Sequence, residues 1–148
     1  MQKSISSTTK SYLAGFLDAD GSIYVQAKPN KTYRFGFQIA SYIVFYQSLK
    51  DAESFSRVCS LIKAGHKRLR KDGIIEHIIS KREEIFHFID LVEPYVIMKK
   101  SQLILLKKIL KAKRRVESEK DFEKLIELID KFRDLNYSKK RKKRTLTL

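Results

Sequence analysis

Cysteine occurs once in the 148 residues, at Cys59, and tryptophan not at all. A lone thiol excludes an intrachain disulfide and a cysteine-built zinc site. The position it suits is that of a small, buried apolar residue. No apolar run approaches the roughly 20 residues that span a bilayer. Met1 to Lys10 is polar and lacks the apolar centre of a signal peptide. These absences predict an intracellular, soluble protein with no membrane span. Acid is also scarce: 17 Asp and Glu stand against 32 Lys and Arg, a net charge of +15. Such an excess speaks about partners rather than fold, with nucleic acid ahead of an anionic membrane surface.

What is present suffices for one domain, expected over residues 1–137. Apolar residues make up 43% of the chain, enough for a real core. The positive charge is concentrated. Lys99 to Arg115 holds eight basic and no acidic residues, and Lys139 to Arg144 is an unbroken basic run of six. The remaining 18 basic and 17 acidic residues nearly balance. The tail from residue 138 is too charged to pack and is expected to be disordered.

The pattern of apolar residues predicts an α+β plan. Ser6, Ser7, Thr8 and Thr9 offer helix caps, and an apolar helical segment from Lys10 to Asp18 should end at Gly21. Ser22 to Lys28 alternates, with Ile23, Val25 and Ala27 on one side. After a turn at Pro29-Asn30-Lys31, the alternation resumes from Tyr33 to Tyr46, giving a long hairpin. A helix over Leu49–Ala64 should close at Gly65. A second hairpin, His66–Arg70 with Ile74–Ser80, turns at Asp72-Gly73. Helices over Arg82–Val92, Ser101–Lys113 and from Ser118 to about Asn136 follow, the first of them stopped by Pro94. His87 is expected near the core. The second strand face is unusually polar: Tyr24, Gln26, Lys28, Arg34, Gln38, Tyr42, Arg68, Arg70 and Glu76. Arg, Gln and Lys match base edges in the major groove, which also admits two-stranded ribbons; a merely solvated face is the plainer alternative.

Leu13-Ala14-Gly15-Phe16-Leu17-Asp18-Ala19-Asp20-Gly21 resembles the LAGLIDADG signature of homing endonucleases, with seven of nine positions identical. Tyr12 before it and Ser22-Ile23 after it extend the likeness, which covers roughly residues 10 to 136. It implies an αββαββα fold, a saddle-shaped antiparallel sheet covered by helices, here with extra C-terminal helices. With a single motif, the chain resembles the homodimeric, intron-encoded branch. That branch cuts both strands of a long, roughly palindromic DNA site across the minor groove and leaves short 3′ overhangs. The expected partners are double-stranded DNA and a second copy, with no membrane and no small-molecule cofactor.

The motif also has a physical reading. Ala14 and Gly15 thin one helix face, so two such helices can approach closely. Leu13, Ala14, Gly15, Leu17 and Asp18 are the expected dimer interface. Two Asp20 carboxylates would then meet, and divalent cations would relieve their repulsion. Carboxylate oxygens suit Mg²⁺, with Mn²⁺ or Ca²⁺ able to substitute for binding. Asp18 is either part of this face or a local hydrogen-bonding cap.

By matched position, the resemblance makes Asp20 and the backbone carbonyl of Ala19 metal ligands. Gln47 orients solvent near the scissile phosphate, and Lys99 stabilises transition-state charge, with Lys100 the alternative lysine. The expected DNA contacts are Ser22, Tyr24, Gln26, Lys28, Asn30, Arg34, Gln38, Tyr42, Tyr46, His66, Arg68, Arg70 and Glu76. The basic segment Lys107–Arg115 adds phosphate contacts that raise affinity without reading sequence. Lys50 and Asp51 stand where relatives place a basic residue at the site's periphery. Val44 and Ala40 supply little hydrogen bonding to bases. Rival readings are an RNA-binding intron maturase on the same scaffold, a non-catalytic DNA-binding regulator and, more distantly, a membrane-surface protein. The intact Asp20, Gln47 and Lys99 favour cleavage.

Overall fold

The computed structural model describes residues 4–136; the basic run of the tail lies outside the described residues. Five helices and four strands follow in the order α1 (Ser7–Asp20), β1 (Gly21–Pro29), β2 (Phe37–Ser48), α2 (Ala52–Ser60), β3 (His66–Leu69), β4 (Ile74–Ile79), α3 (Arg82–Val92), α4 (Lys100–Arg114) and α5 (Glu119–Leu135). The strands form one sheet in the order β1-β2-β4-β3. β4 runs antiparallel to β2, with Phe45 opposite His77 and Tyr46 opposite Glu76, and antiparallel to β3 on its other side. The expected α+β plan is therefore the observed one.

The described residues group into two compact units through which β1, β2 and α4 run. Among the described residues, the first takes 4–23 and 42–103, the second 24–41 and 104–136. In the first unit, Leu13, Ala14 and Leu17 of α1 are fully buried and α1 packs on α3. The Phe16 ring stacks on Phe45 at 4.7 Å, and Phe45 meets Phe88 edge-on at 5.8 Å. Burying such a ring stabilises the fold by about 2–3 kcal/mol. Cys59 lies buried, as expected, and burial pushes its thiol pKa up to about 12. In the second unit, Phe35 and Phe37 stack on Phe122 of α5 at 5.1 and 6.0 Å. Lys113 Nζ of α4 donates to the Ile39 carbonyl at 3.0 Å.

Several boundaries differ from expectation for identifiable reasons. β2 begins at Phe37, not Tyr33, because residues 30–36 close on themselves. Asn30 N donates to the Gly36 carbonyl at 2.8 Å and Asn30 Oδ1 accepts from Thr32 N at 3.0 Å, while Gly36 takes a left-handed φ of +79°. The helix expected over Leu49–Ala64 is a 3-10 turn (Leu49–Asp51) followed by the shorter α2. Beyond it, Lys63 and Gly65 both have positive φ. A Cβ at Gly65 would sit 2.6 Å from the Ile78 carbonyl, so glycine is required there. His87 is exposed rather than near the core. The buried histidine is His77, whose Nε2 lies 2.7 Å from the Ala64 carbonyl.

Candidate active site and nucleic-acid interface

The end of α1 is a crowded piece of chemistry. Ser6 caps the helix by accepting from Thr9 N at 3.2 Å, and the helix runs uninterrupted to Asp20. The helix ends where Gly21 turns extended, with φ −86° and ψ 159°, its N–H still donating to the Leu17 carbonyl. A Cβ there would lie 2.6 Å from Leu17 Cδ1 and 2.9 Å from that carbonyl, so the position calls for glycine. The chain thus leaves the helix directly into β1 and places Asp18, Ala19 and Asp20 in the last turn.

Asp18 and Asp20 have opposite surroundings. The half-buried Asp18 carboxylate accepts three backbone N–H bonds: Ile97 at 2.9 Å, Met98 at 3.2 Å and Lys99 at 3.0 Å. The Lys99 ammonium completes the knot by donating to the Asp18 carbonyl at 2.7 Å. Burial works to raise the pKa of Asp18, but the Ile97, Lys99 and Met98 N–H groups and the lysine charge outweigh it. Asp18 is therefore held below the ordinary carboxylate range, since hydrogen bonds to the ionised form favour it. Asp20, two residues on, is exposed, and no described residue bonds its carboxylate. Ala19 is exposed beside it. Of the two adjacent lysines, Lys99 is the one tied to the helix end, and Lys100 is exposed at the start of α4.

Gln47 lies near the end of β2, paired in register with Ile75. It therefore projects to the Phe45 side of the sheet rather than the Tyr46 side. Its Oε1 accepts from Ser48 N at 3.1 Å, which turns the amide back along the strand.

The outward face of α1 corrects the expected interface. Leu13, Ala14 and Leu17 are 0% exposed, covered by their own chain, and are not available to a second copy. Asp18 is engaged by residues 97–99. The face that stays open carries Ser11, Tyr12, Gly15 and Ala19, at helical spacing. A Cβ at Gly15 would meet nothing within 4 Å, so nothing among the described residues requires glycine there. Next to the Asp18 knot, Ile97 and Met98 are 83% and 74% exposed, an apolar pair that sequence reasoning missed. Their signal was available: two apolar residues directly before the basic run.

The polar strand face is present in each unit. In the second, Tyr24, Gln26 and Lys28 alternate with the buried Val25 and Ala27, and Gln38 sits beside the buried Ile39. Asn30 and Arg34 lie in the turn. Asn30 Oδ1 is occupied by Thr32, and the Arg34 guanidinium rests 4.9 Å over the Phe35 ring. In the first unit, Ser22 and Tyr42 are half-exposed, and the register sets Tyr46, Glu76 and Arg68 side by side, with His66 two residues along β3. Glu76 does not stand open to a ligand as expected. It is 8% exposed, and Arg70 Nη1 lies 3.6 Å from it while Arg70 also pairs with Asp72. Its register partners on the two flanking strands are Tyr46 and Arg68.

Fold and site together define an α+β chain that offers a row of bonding strand side chains and an unencumbered acid at a helix end. The sequence pattern described as LAGLIDADG endonuclease matches residues 13–110, and the chain belongs to that family. It is 30% identical over 132 residues to DNA endonuclease I-CreI of Chlamydomonas reinhardtii, a match covering 88% of this chain and 80% of that one. It is 29% identical over 133 residues to DNA endonuclease I-CvuI of Chlorella vulgaris, covering 88% and 81%. A crystal structure of I-CvuI bound to the I-CreI target with 2 mM Mg, its DNA not cleaved, superposes with a TM-score of 0.84 at 25% identity over 91% of this chain and 86% of that one. A second I-CvuI structure, on its own target with 2 mM Ca, matches equally well, with a TM-score of 0.84 at 25% identity over 92% and 87%.

Proposed function

We propose that this chain is a site-specific DNA endonuclease that acts as a homodimer and hydrolyses phosphodiesters with a divalent cation, Mg²⁺ in the working enzyme. One observation carries the reading: of the two motif acids, Asp18 is saturated by its own chain and Asp20 is left without a partner among the described residues.

One exposed carboxylate is a poor cage for a divalent ion, which needs several oxygen ligands. Among the described residues no three acidic, histidine or cysteine groups come together to hold a metal. A second copy packed along the open α1 face supplies the second Asp20, and the Ala19 carbonyls add neutral oxygen donors. The donor set is then hard oxygen throughout and fits Mg²⁺. The exposed Ile97 and Met98 give the same interface an apolar margin, and the small residues Ser11, Gly15 and Ala19 let two helices approach closely. When bound, the cation lowers the pKa of a water and neutralises charge at the phosphate.

The chain's own residues do the rest. Asp18 fixes the segment 97–99, and that segment holds Lys99 at the helix end, where its ammonium stabilises the negative charge that grows on the phosphate. Gln47 positions solvent from the strand end. Tyr24, Gln26, Lys28, Gln38, Tyr42, Tyr46, His66, Arg68 and Arg70 present donors and acceptors to base edges and phosphates. Asn30 and Arg34 reach the duplex from the turn, and Ser22 from the start of β1. Glu76 acts through Arg70, whose guanidinium it steadies.

The test is the Asp20→Asn variant with Mg²⁺ and a library of duplex sites. Expected is loss of cleavage by about 100-fold or more with binding retained. Cutting at the wild-type rate would overturn the reading.

A further inference from the structure

The basic run on α4 is not one uniform surface. Lys113 is turned inward to the Ile39 carbonyl, and Lys107 has a bonding partner of its own. Lys108, Lys111 and Arg115 instead line one side of a groove of about 520 Å³, with Lys124 of α5 on the other side and Ala112, Leu125 and Leu128 between them. The one acid of the groove, Asp121, is engaged at the start of α5: its carboxylate accepts from Glu117 N at 3.1 Å. Among the described residues none of the four cations forms an ion pair with an acid.

A solvated helix face is the plain explanation of any single lysine here, and cations in a last turn do complement the helix dipole. Neither explains the convergence. Lys124 is on another helix, past its first turn; its charge also bears on Asp121, yet it lines the same groove as the α4 cations. The positions 108, 111 and 115 form a stripe about 10 Å long at the helical rise. One strand of a duplex carries a charge every 3.4 Å or so, and such a stripe spans about three phosphates.

The groove is lined by α4 and α5 together with Arg115, just past the end of α4. The second unit's polar strand residues lie on the side of β1 and β2 away from Phe122, and α5 packs against the other side through Phe35 and Phe37. A duplex on the strand face therefore leaves the helix groove unfilled.

We propose that this groove is a second, sequence-independent DNA site, which holds the backbone of another duplex segment while the strand face is occupied. The inference rests on the DNA-binding reading above. Its charge complementarity is with phosphate, and its apolar floor offers nothing that reads bases. A protein with two such faces bridges duplexes and passes between them without first dissociating into solution.

The test uses the full chain, a biotinylated duplex of about 40 base pairs on beads and a fluorescent duplex of unrelated sequence; three neutralised contacts lower the salt slope for the second duplex by about three. Expected is capture of the fluorescent duplex by wild-type protein. The triple variant Lys108→Gln, Lys111→Gln, Lys124→Gln should stay on the beads but lose at least about fivefold of that capture. The control variant Lys120→Gln, Lys131→Gln removes two exposed α5 cations that do not line the groove and should capture normally. If wild-type protein fails to load on the first duplex, the DNA reading itself falls. If it loads but captures no second duplex, or the triple and control variants behave alike, the groove proposal alone falls. Preference for a fluorescent RNA hairpin over the second duplex in direct competition also overturns it.

Discussion

Two carboxylates two residues apart end up with opposite tasks because their neighbours differ. Among the described residues nothing bonds the Asp20 carboxylate, whereas the Asp18 carboxylate has three N–H groups and the Asp18 carbonyl a lysine. Removing the Asp18 side chain removes three hydrogen bonds to a charged acceptor, two of them at exposed donors that water can take over, so together they contribute on the order of 3 kcal/mol. Asp18→Ala is therefore expected to lose on the order of 3 kcal/mol of stability, measured by denaturant unfolding, and to slow cleavage by freeing Lys99. The pH dependence has a definite sign. A carboxyl whose folded pKa is lowered stabilises the fold above its unfolded value, near 3.9, and that contribution is lost as pH falls through the lower folded value. The deficit of Asp18→Ala relative to wild type should thus be full at neutral pH and shrink below about pH 4; a deficit independent of pH would argue that the carboxylate charge is irrelevant. Asp20 was legible as a candidate through the motif, and Lys99 and Gln47 through the positions that the family resemblance matches. The partners of Asp18 were not, because they lie 79 to 81 residues away in sequence and make their bonds through backbone atoms.

At the scale of elements, α1 shows what periodicity conveys and what it leaves open. The apolar spacing marked a helix, and composition marked Ala14 and Gly15 as small, but which face turns inward depends on β2 and α3. The stacking of Phe16 on Phe45 rotates Leu13, Ala14 and Leu17 into the core and leaves Gly15 outside. Gly15→Leu is consequently expected to leave the subunit folded while blocking close approach of a second α1. Sedimentation should show the mass falling from that of two chains to one, with cleavage lost and circular dichroism unchanged. A dimer persisting in that variant would move the interface elsewhere. The strands were easier to read: Val25, Ala27, Ile39, Ile43 and Phe45 are buried on the alternation that the sequence displays. Only the turn escaped, since Tyr33 to Gly36 continues the alternating pattern while backbone bonds to Asn30 fold it into a loop.

For the molecule as a whole, a net charge of +15 makes association with a polyanion strongly dependent on salt. If six to ten phosphates are contacted, the binding constant should fall by about 10³–10⁵-fold between roughly 50 and 200 mM salt. A fluorescence-anisotropy titration with a flat response over that range would remove the electrostatic basis of DNA binding. The division into two units was hidden in the sequence, since β1, β2 and α4 run through both without a linker of proline or glycine to mark the passage. The Asp18 knot has one more consequence, and it is temporal. On the ribosome, α1 emerges about 80 residues ahead of Ile97–Lys99, a delay of roughly 4–16 s at ordinary elongation speeds. A chain not yet extended to Ile97 carries the acidic motif without its lysine clasp, so under the proposed role of Lys99 cleavage is expected to begin only once Ile97–Lys99 has been made.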